Sequence, residues 1–268
     1  MGVRGVIPGV ATTRHVELLA AQRAAPADLL TIHKFGKNRA VGTTFAPVAL
    51  GGIYRTPGVG AETALRIKAG GNAADTAAGA GAREVTLYGV DATGAEVSEA
   101  VATAGIAASA ATTTEFLRLF RVVVTGSGTY ASASAGSHAG AITIENAAGT
   151  EDWASIQASD FPRGQSEIGA YTVPAGWTAF LYYAAIFTDS TKRTDVLCFR
   201  RGGVLITAAP FEAMRLVFET QARGSEEEVT FGLPVRFPEN TDVGFMAKVD
   251  SGTAEVDVDF ELLLIRNT

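Results

Sequence analysis

From Glu255 to Leu262 the chain alternates without a break: Glu255, Asp257, Asp259 and Glu261 take the odd positions, and Val256, Val258, Phe260 and Leu262 the even ones. Successive side chains of a strand point to opposite faces, so this period of two predicts one buried apolar face and one face of four carboxylates. Short runs rich in Val, Ile, Thr and aromatics, separated by Gly-rich turns, predict strands along most of the rest of the chain. Residues 83–90 and 95–103 flank Asp91-Ala-Thr-Gly94, a hairpin turn, with Val85 and Leu87 facing one way and Thr86 and Tyr88 the other. Residues 116–124 are too continuously apolar for a one-sided strand and too β-branched at their end for a helix, which predicts a buried strand. The Ala/Ser/Gly tract at 126–140 predicts a loop before a strand at 141–145.

After Gly149 the side chains become larger, and eight strand-like runs fall near 167–173, 177–188, 194–200, 203–208, 213–220, 228–232, 242–249 and 254–265. Eight short strands at regular spacing predict a sandwich of jelly-roll type. The N-terminus reads differently. Residues 1–12 form an extended lead, Thr13 can cap a short helix to about Ala25, and Pro26 ends it. Val16, Leu19, Ala20 and Arg23 share a face too narrow to hold so short a helix alone, so the segment should dock on its own body or on a neighbouring subunit. The expected organisation is therefore all-β: an N-terminal docking arm at 1–28, a first antiparallel β-sandwich at 29–149, and a second, jelly-roll-like sandwich at 150–268. The lack of strand–helix alternation excludes a parallel α/β enzyme fold.

Charge adds a polarity to this picture. The net charge is −6, but residues 1–39 carry +4, residues 40–150 carry −2 and residues 151–268 carry −8. An acidic body repels nucleic acid, so an arm with Arg4, Arg14 and Arg23, followed by Lys34, Lys37 and Arg39, suits an acidic protein neighbour. The carboxylate face of Glu255, Asp257, Asp259 and Glu261 suits a basic partner surface. Same-face neighbours on one strand lie about 7 Å apart and repel rather than converge, which disfavours a calcium site or a glycosidase pair. At 47% hydrophobic and 19% charged residues the chain should fold, and its longest mostly apolar run, residues 177–187, is too short for a membrane helix. Residues 1–20 show no secretory h-region, and Val6 breaks the myristoylation pattern begun by Met1 and Gly2, so neither export nor a membrane anchor is expected.

Candidate chemistry is sparse. The single Cys198 permits no internal disulfide or zinc cluster and reads as a small core side chain. His15, His33 and His138 are scattered, with no announced nucleophile or oxyanion hole beside them. Gly126-Ser-Gly128-Thr-Tyr-Ala131 matches the dinucleotide fingerprint after an apolar strand, yet Ser132 to Gly140 lacks the helical period that would receive a pyrophosphate. Gly36-Lys37 lacks the rest of a phosphate loop, and Gly136-Ser-His-Ala-Gly140 has His where a nucleophile elbow has Ser. Glu226-Glu-Glu228 reads as an exposed turn. No cofactor or metal is expected, and enzyme is the least favoured class.

Several segments taken in order carry a resemblance: His33-Lys-Phe-Gly-Lys-Asn38 with Val41-Gly-Thr-Thr44; Asn72 to Arg83 leading into Val85-Thr-Leu-Tyr-Gly-Val-Asp91; Tyr171-Thr-Val-Pro-Ala-Gly-Trp-Thr178; Pro234 to Asp242; and the closing strand from Gly252 to Ile265. Over about residues 30–266 they resemble a family of virion structural proteins of tailed bacteriophages. That resemblance implies a non-enzymatic building block, made in the host cytoplasm and carried on the virion, that assembles as a homo-oligomer with other virion proteins. The expected place is the tail or neck, as a fibre, collar or adaptor-associated subunit, with a capsid decoration protein as the alternative. A host-glycan-binding module is the alternative of a different class, with Trp153, Trp177, Tyr182 and Tyr183 as its candidate aromatic platform.

Overall fold

The computed structural model describes residues 27–132, 136–158, 163–189, 191–222, 224 and 226–267. The predicted arm, with Arg4, Arg14 and Arg23, therefore lies outside the described residues apart from its last two positions. In chain order the strands are β1 (Leu29–Val41), β2 (Ala46–Pro47), β3 (Thr63–Ile67), β4 (Ala82–Val90), β5 (Glu96–Ala102), β6 (Glu115–Phe116), β7 (Arg118–Ser127), β8 (Ile142–Asn146), β9 (Asp152–Ile156), β10 (Ala170–Val173), β11 (Trp177–Thr188), β12 (Thr194–Arg201), β13 (Arg215–Ala222), β14 (Glu226–Phe237), β15 (Thr241–Val249) and β16 (Ala254–Arg266). The protein is all-β, and every strand pairing is antiparallel.

One sheet has the order β1-β16-β11-β14 and a second β10-β15-β12-β13, with β2 on β15. Two four-stranded sheets interleaved in this way make an eight-stranded jelly roll. Its core holds the even positions of β16: Val256, Val258, Phe260 and Leu262 are all 0% exposed, and Phe260 meets Phe245 of β15 with ring centroids 5.1 Å apart. The alternation in sequence thus selects the buried face of a central strand.

The strand pairing corrects two expectations. Residues 203–208 do not supply the eighth strand, because Gly203 (φ 63°) turns the chain and Ile206 N–H bonds back to the Gly203 carbonyl. The eighth strand is β1, placed by sequence in the first sandwich. It lies along β16 in a register that runs from Leu29 opposite Ile265 to Val41 opposite Ala254. The boundary at 149/150 therefore does not divide the sheets, since β9 still belongs to the first sandwich. The first sandwich, with sheet orders β6-β3-β8-β9 and β5-β4-β7, begins after β2 and ends with β9, an insertion between two strands of the jelly roll. Its core contains Leu65, Val85, Leu87, Phe116, Val122, Ile144 and Trp153. The predicted hairpin is there as β4 and β5, with Val85 and Leu87 buried and Thr86 and Tyr88 half-buried.

The two bodies share apolar packing. Val90 and Phe120 of the inserted sandwich belong to the jelly-roll core, and Phe120 lies 4.7 Å from Tyr171, ring centroid to ring centroid. Backbone also approaches backbone there. A Cβ on Gly36 of β1 would sit 2.3 Å from both the Gly169 nitrogen and the Val48 oxygen, so only glycine fits the crossing.

Candidate functional site

The odd positions of β16 reach the outer face of the first sheet, and the register sets their neighbours. Across β1, β16, β11 and β14 run three rows: Lys37, Asp257, Phe187, Glu226; then Phe35, Asp259, Ala185, Glu228; then His33, Glu261, Tyr183, Thr230. Glu255 extends the β16 column by one step. The result is two columns of carboxylates separated by the aromatic and small side chains of β11. Glu226 and Glu228, expected in an exposed turn, are strand residues facing the same way as Asp257 and Asp259. Beside the first two rows lies a cleft of about 380 Å³ whose lining includes Lys37, Arg163, Glu167, Phe187, Asp257 and Asp259.

One cation answers this charge from within the sheet. Lys37 is 7% exposed, donates to Glu255 Oε1, and lies 3.0 Å from Asp257 Oδ2. Burial works against its charge, but the hydrogen bonds to Glu255 and Asp257 outweigh it and its pKa is raised. Asp257 Oδ1 is buried without a hydrogen-bond partner. Burial holds the carboxyl of Asp257 above the usual carboxylate range despite Lys37, and does the same to Asp259. The Tyr182 hydroxyl is pushed up by burial and by a hydrogen bond to Glu261, and Tyr183 by burial and then by Glu228, Glu226, Asp259 and Glu261. The face is thus an acidic surface whose own charges resist one another, with part of the charge desolvated.

Lys34 and Lys37, read with the basic N-terminal charges, are strand residues engaged inside the molecule. Lys34 is 6% exposed, donates to the Phe120 carbonyl across the junction of the two bodies, and lies 5.7 Å from the Phe120 ring centroid. Burial, then repulsion from Arg121, lowers its pKa from 10.5 to about 7.

The other singled-out residues do not converge. His33 stands on the outer face of β1, 6.2 Å from Phe35, ring to ring, while His138 is 4% exposed in the inserted body, its pKa lowered by burial and its Nε2 unpartnered. Cys198 is 0% exposed in β12, and burial pushes its thiol up. Trp153 is 2% exposed in the inserted core, so it cannot share a platform with Trp177, over which Arg266 stacks at 4.8 Å. Among the described residues, no group of three or more His, Cys, Asp or Glu side chains is arranged to hold a metal ion.

Sequence reasoning missed the most densely bonded polar cluster. Arg118 of β7 and Asp242 of β15 form an ion pair at 3.2 Å, with side chains 1% and 0% exposed, between the inserted body and the jelly roll. Asp242 also accepts from Arg201 Nη2 at 2.8 Å, Thr172 Oγ1 at 2.8 Å and the Tyr54 hydroxyl at 3.4 Å. Arg118 Nη1 donates to the carbonyls of Pro57 and Leu117 at 2.7 and 2.8 Å. The available signal was Arg118 itself, the one charge among Phe116, Leu117, Leu119 and Phe120.

Fold and face together define an all-β jelly roll that carries an inserted β-sandwich and presents a carboxylate-rich outer sheet. No protein-family description and no curated protein matches the chain. Among solved structures it is similar to that of infectious bursal disease virus Gx strain at 9% identity and a TM-score of 0.20, covering 90% of this chain and 77% of that one. A likeness of that size defines no shared fold.

Proposed function

We propose that this chain is a non-enzymatic virion structural subunit of a tailed bacteriophage, working in several copies at the tail or neck through protein–protein attachment. The observation that carries this reading is the outer face of the first sheet, where Glu226, Glu228, Glu255, Asp257, Asp259 and Glu261 share one surface with one lysine of their own sheet, Lys37, paired to two of them. Folding alone does not require such a column, since like charges on adjacent strand positions cost stability, and a partner carrying Lys or Arg would relieve it. The phage assignment itself comes from the sequence resemblance over residues 30–266.

The test is incorporation. Antibody against the purified protein should label particles from lysates of the source at several copies per particle. Parent protein should bind those particles, while Asp257→Asn with Asp259→Asn should bind more weakly, most clearly at low salt where screening is least. Particles without label would sink the reading. Equal binding by the double variant would sink the role given to the face.

A further inference from the structure

The two open sides of the jelly roll are finished differently. On one side the inserted body and its linkers cover the sheet edges: Lys37 N–H bonds to the Glu167 carbonyl, and Gly169 N–H to that of Val48. On the other side β13 and β14 end the two sheets. Three large apolar side chains here are exposed: Met214 at 50%, Leu216 at 59% and Leu233 at 86%. They account for three of the eight such side chains among the described residues, within one short stretch of chain. Phe218 and Phe231 face one another with centroids 5.7 Å apart, which ties β13 to β14 where the two sheets meet.

Sheet pairing does not demand this exposure. The register of β14 on β11 jumps from Val235 opposite Leu181 to Thr230 opposite Tyr183, so Phe231 to Pro234 leave the ladder and lift Leu233 outward. Pro234 lacks an N–H, and β13 has its own irregularity at Val217, between Phe218 opposite Cys198 and Leu216 opposite Phe199. Proline and bulges on edge strands oppose strand addition, so whatever covers this edge meets it through side chains. The rim carries both signs. Arg215 and Arg236 are exposed and form no ion pair among the described residues, while Glu219, Glu226 and Glu228 are exposed nearby on the same two strands.

From this geometry we infer that the β13–β14 edge is a self-association surface, with a second copy of this chain as its occupant. An apolar centre with a rim of both charges is self-complementary, because a two-fold contact sets the arginines of one copy against the glutamates of the other. The three side chains offer roughly 300–400 Å² of apolar surface per copy, a little under half of the ~800 Å² each partner contributes to a stable interface, and the flanking arginines and glutamates supply the rest. The inference rests on the multi-copy part of the proposed function and on nothing about the particle.

Sedimentation velocity on the purified full chain tests it. The parent should show a concentration-dependent dimer in the micromolar range. Leu216→Ser with Leu233→Ser should raise the dissociation constant at least tenfold while leaving the melting temperature of the dilute, monomeric protein nearly unchanged, since both side chains are mostly exposed. Arg215→Glu should weaken the dimer, and adding Glu219→Arg should restore part of the loss. Parent and serine variant sedimenting alike as dimers would overturn this surface and leave the multi-copy reading standing. A parent that stays monomeric to ~100 μM would overturn self-association through this edge, and the particle-labelling experiment would still decide the reading of the function.

Discussion

Two aspartates on consecutive strands of the sequence's acidic half, one in each sheet of the jelly roll, have opposite surroundings. Asp242 is 0% exposed, and both its oxygens are held by Arg118, Arg201, Thr172 and Tyr54. Asp257 has a side chain 37% exposed, one lysine on Oδ2 and nothing on Oδ1. The first site is closed: both oxygens of the carboxylate are hydrogen-bonded and shared by two guanidinium groups, and the cluster joins the inserted sandwich to the jelly roll. The second is open: its neighbours Glu255 and Asp259 repel it, and burial lifts the carboxyls of Asp257 and Asp259 rather than stabilising their charged forms. A buried polar network with all partners in place specifies structure, whereas an unsatisfied, like-charged surface is better explained by something that meets it.

Breaking the closed site should have the largest effect. Asp242→Ala strands two guanidinium groups against one another, one of them fully buried, and should cost about 3–5 kcal/mol in urea denaturation. A loss below ~1 kcal/mol would mean that the junction is not held by this pair. Next is Lys34, which lies at the same junction but has a carbonyl and a ring in place of a counter-charge. Its folded pKa of about 7 lies below its ordinary 10.5, so the cost of burying it is absent well above pH 10.5, grows as pH falls and is complete below about 7. Lys34→Met should therefore gain stability relative to the parent as pH is lowered from 10.5 to 6, by at most on the order of 4 kcal/mol. A difference between the two proteins that is flat with pH would show that the lysine keeps its charge.

The open site should respond less. Lys37→Met removes the one lysine that pairs with the column and leaves Asp257 partly buried without it, for a loss of about 1–2 kcal/mol that shrinks at acid pH as the carboxyls protonate. The smallest effect belongs to Asp257→Asn with Asp259→Asn. Relief of carboxylate repulsion is offset by the loss of one of the two carboxylates on buried Lys37, with Glu255 remaining, so folding stability should shift by less than ~0.5 kcal/mol. A double variant that melts far below the parent would place this face with the closed site as a structural network.

The legible parts of this molecule were those written locally. The odd and even positions of β16, the hairpin around Asp91-Ala-Thr-Gly94 and the strand content of the acidic half follow from side-chain alternation and turn chemistry, which need only a few consecutive residues. The row of four carboxylates was readable for the same reason. Its neighbours were not, because nothing in the sequence near 255–262 says which strand lies alongside.

Thus the sequence alone determined an all-β chain with an apolar and an acidic face on its last strand, since a period of two is a local steric property of the extended backbone. Only the tertiary structure decided that β1 pairs with β16 and closes the jelly roll around an inserted sandwich. It alone brought Lys37 to Asp257 across 220 positions and Arg118 to Asp242 across 124. Strand partners are chosen by the whole core at once, through burial of Val256, Val258 and Phe260 against residues far away in the chain, and that choice leaves no mark on any short stretch of sequence.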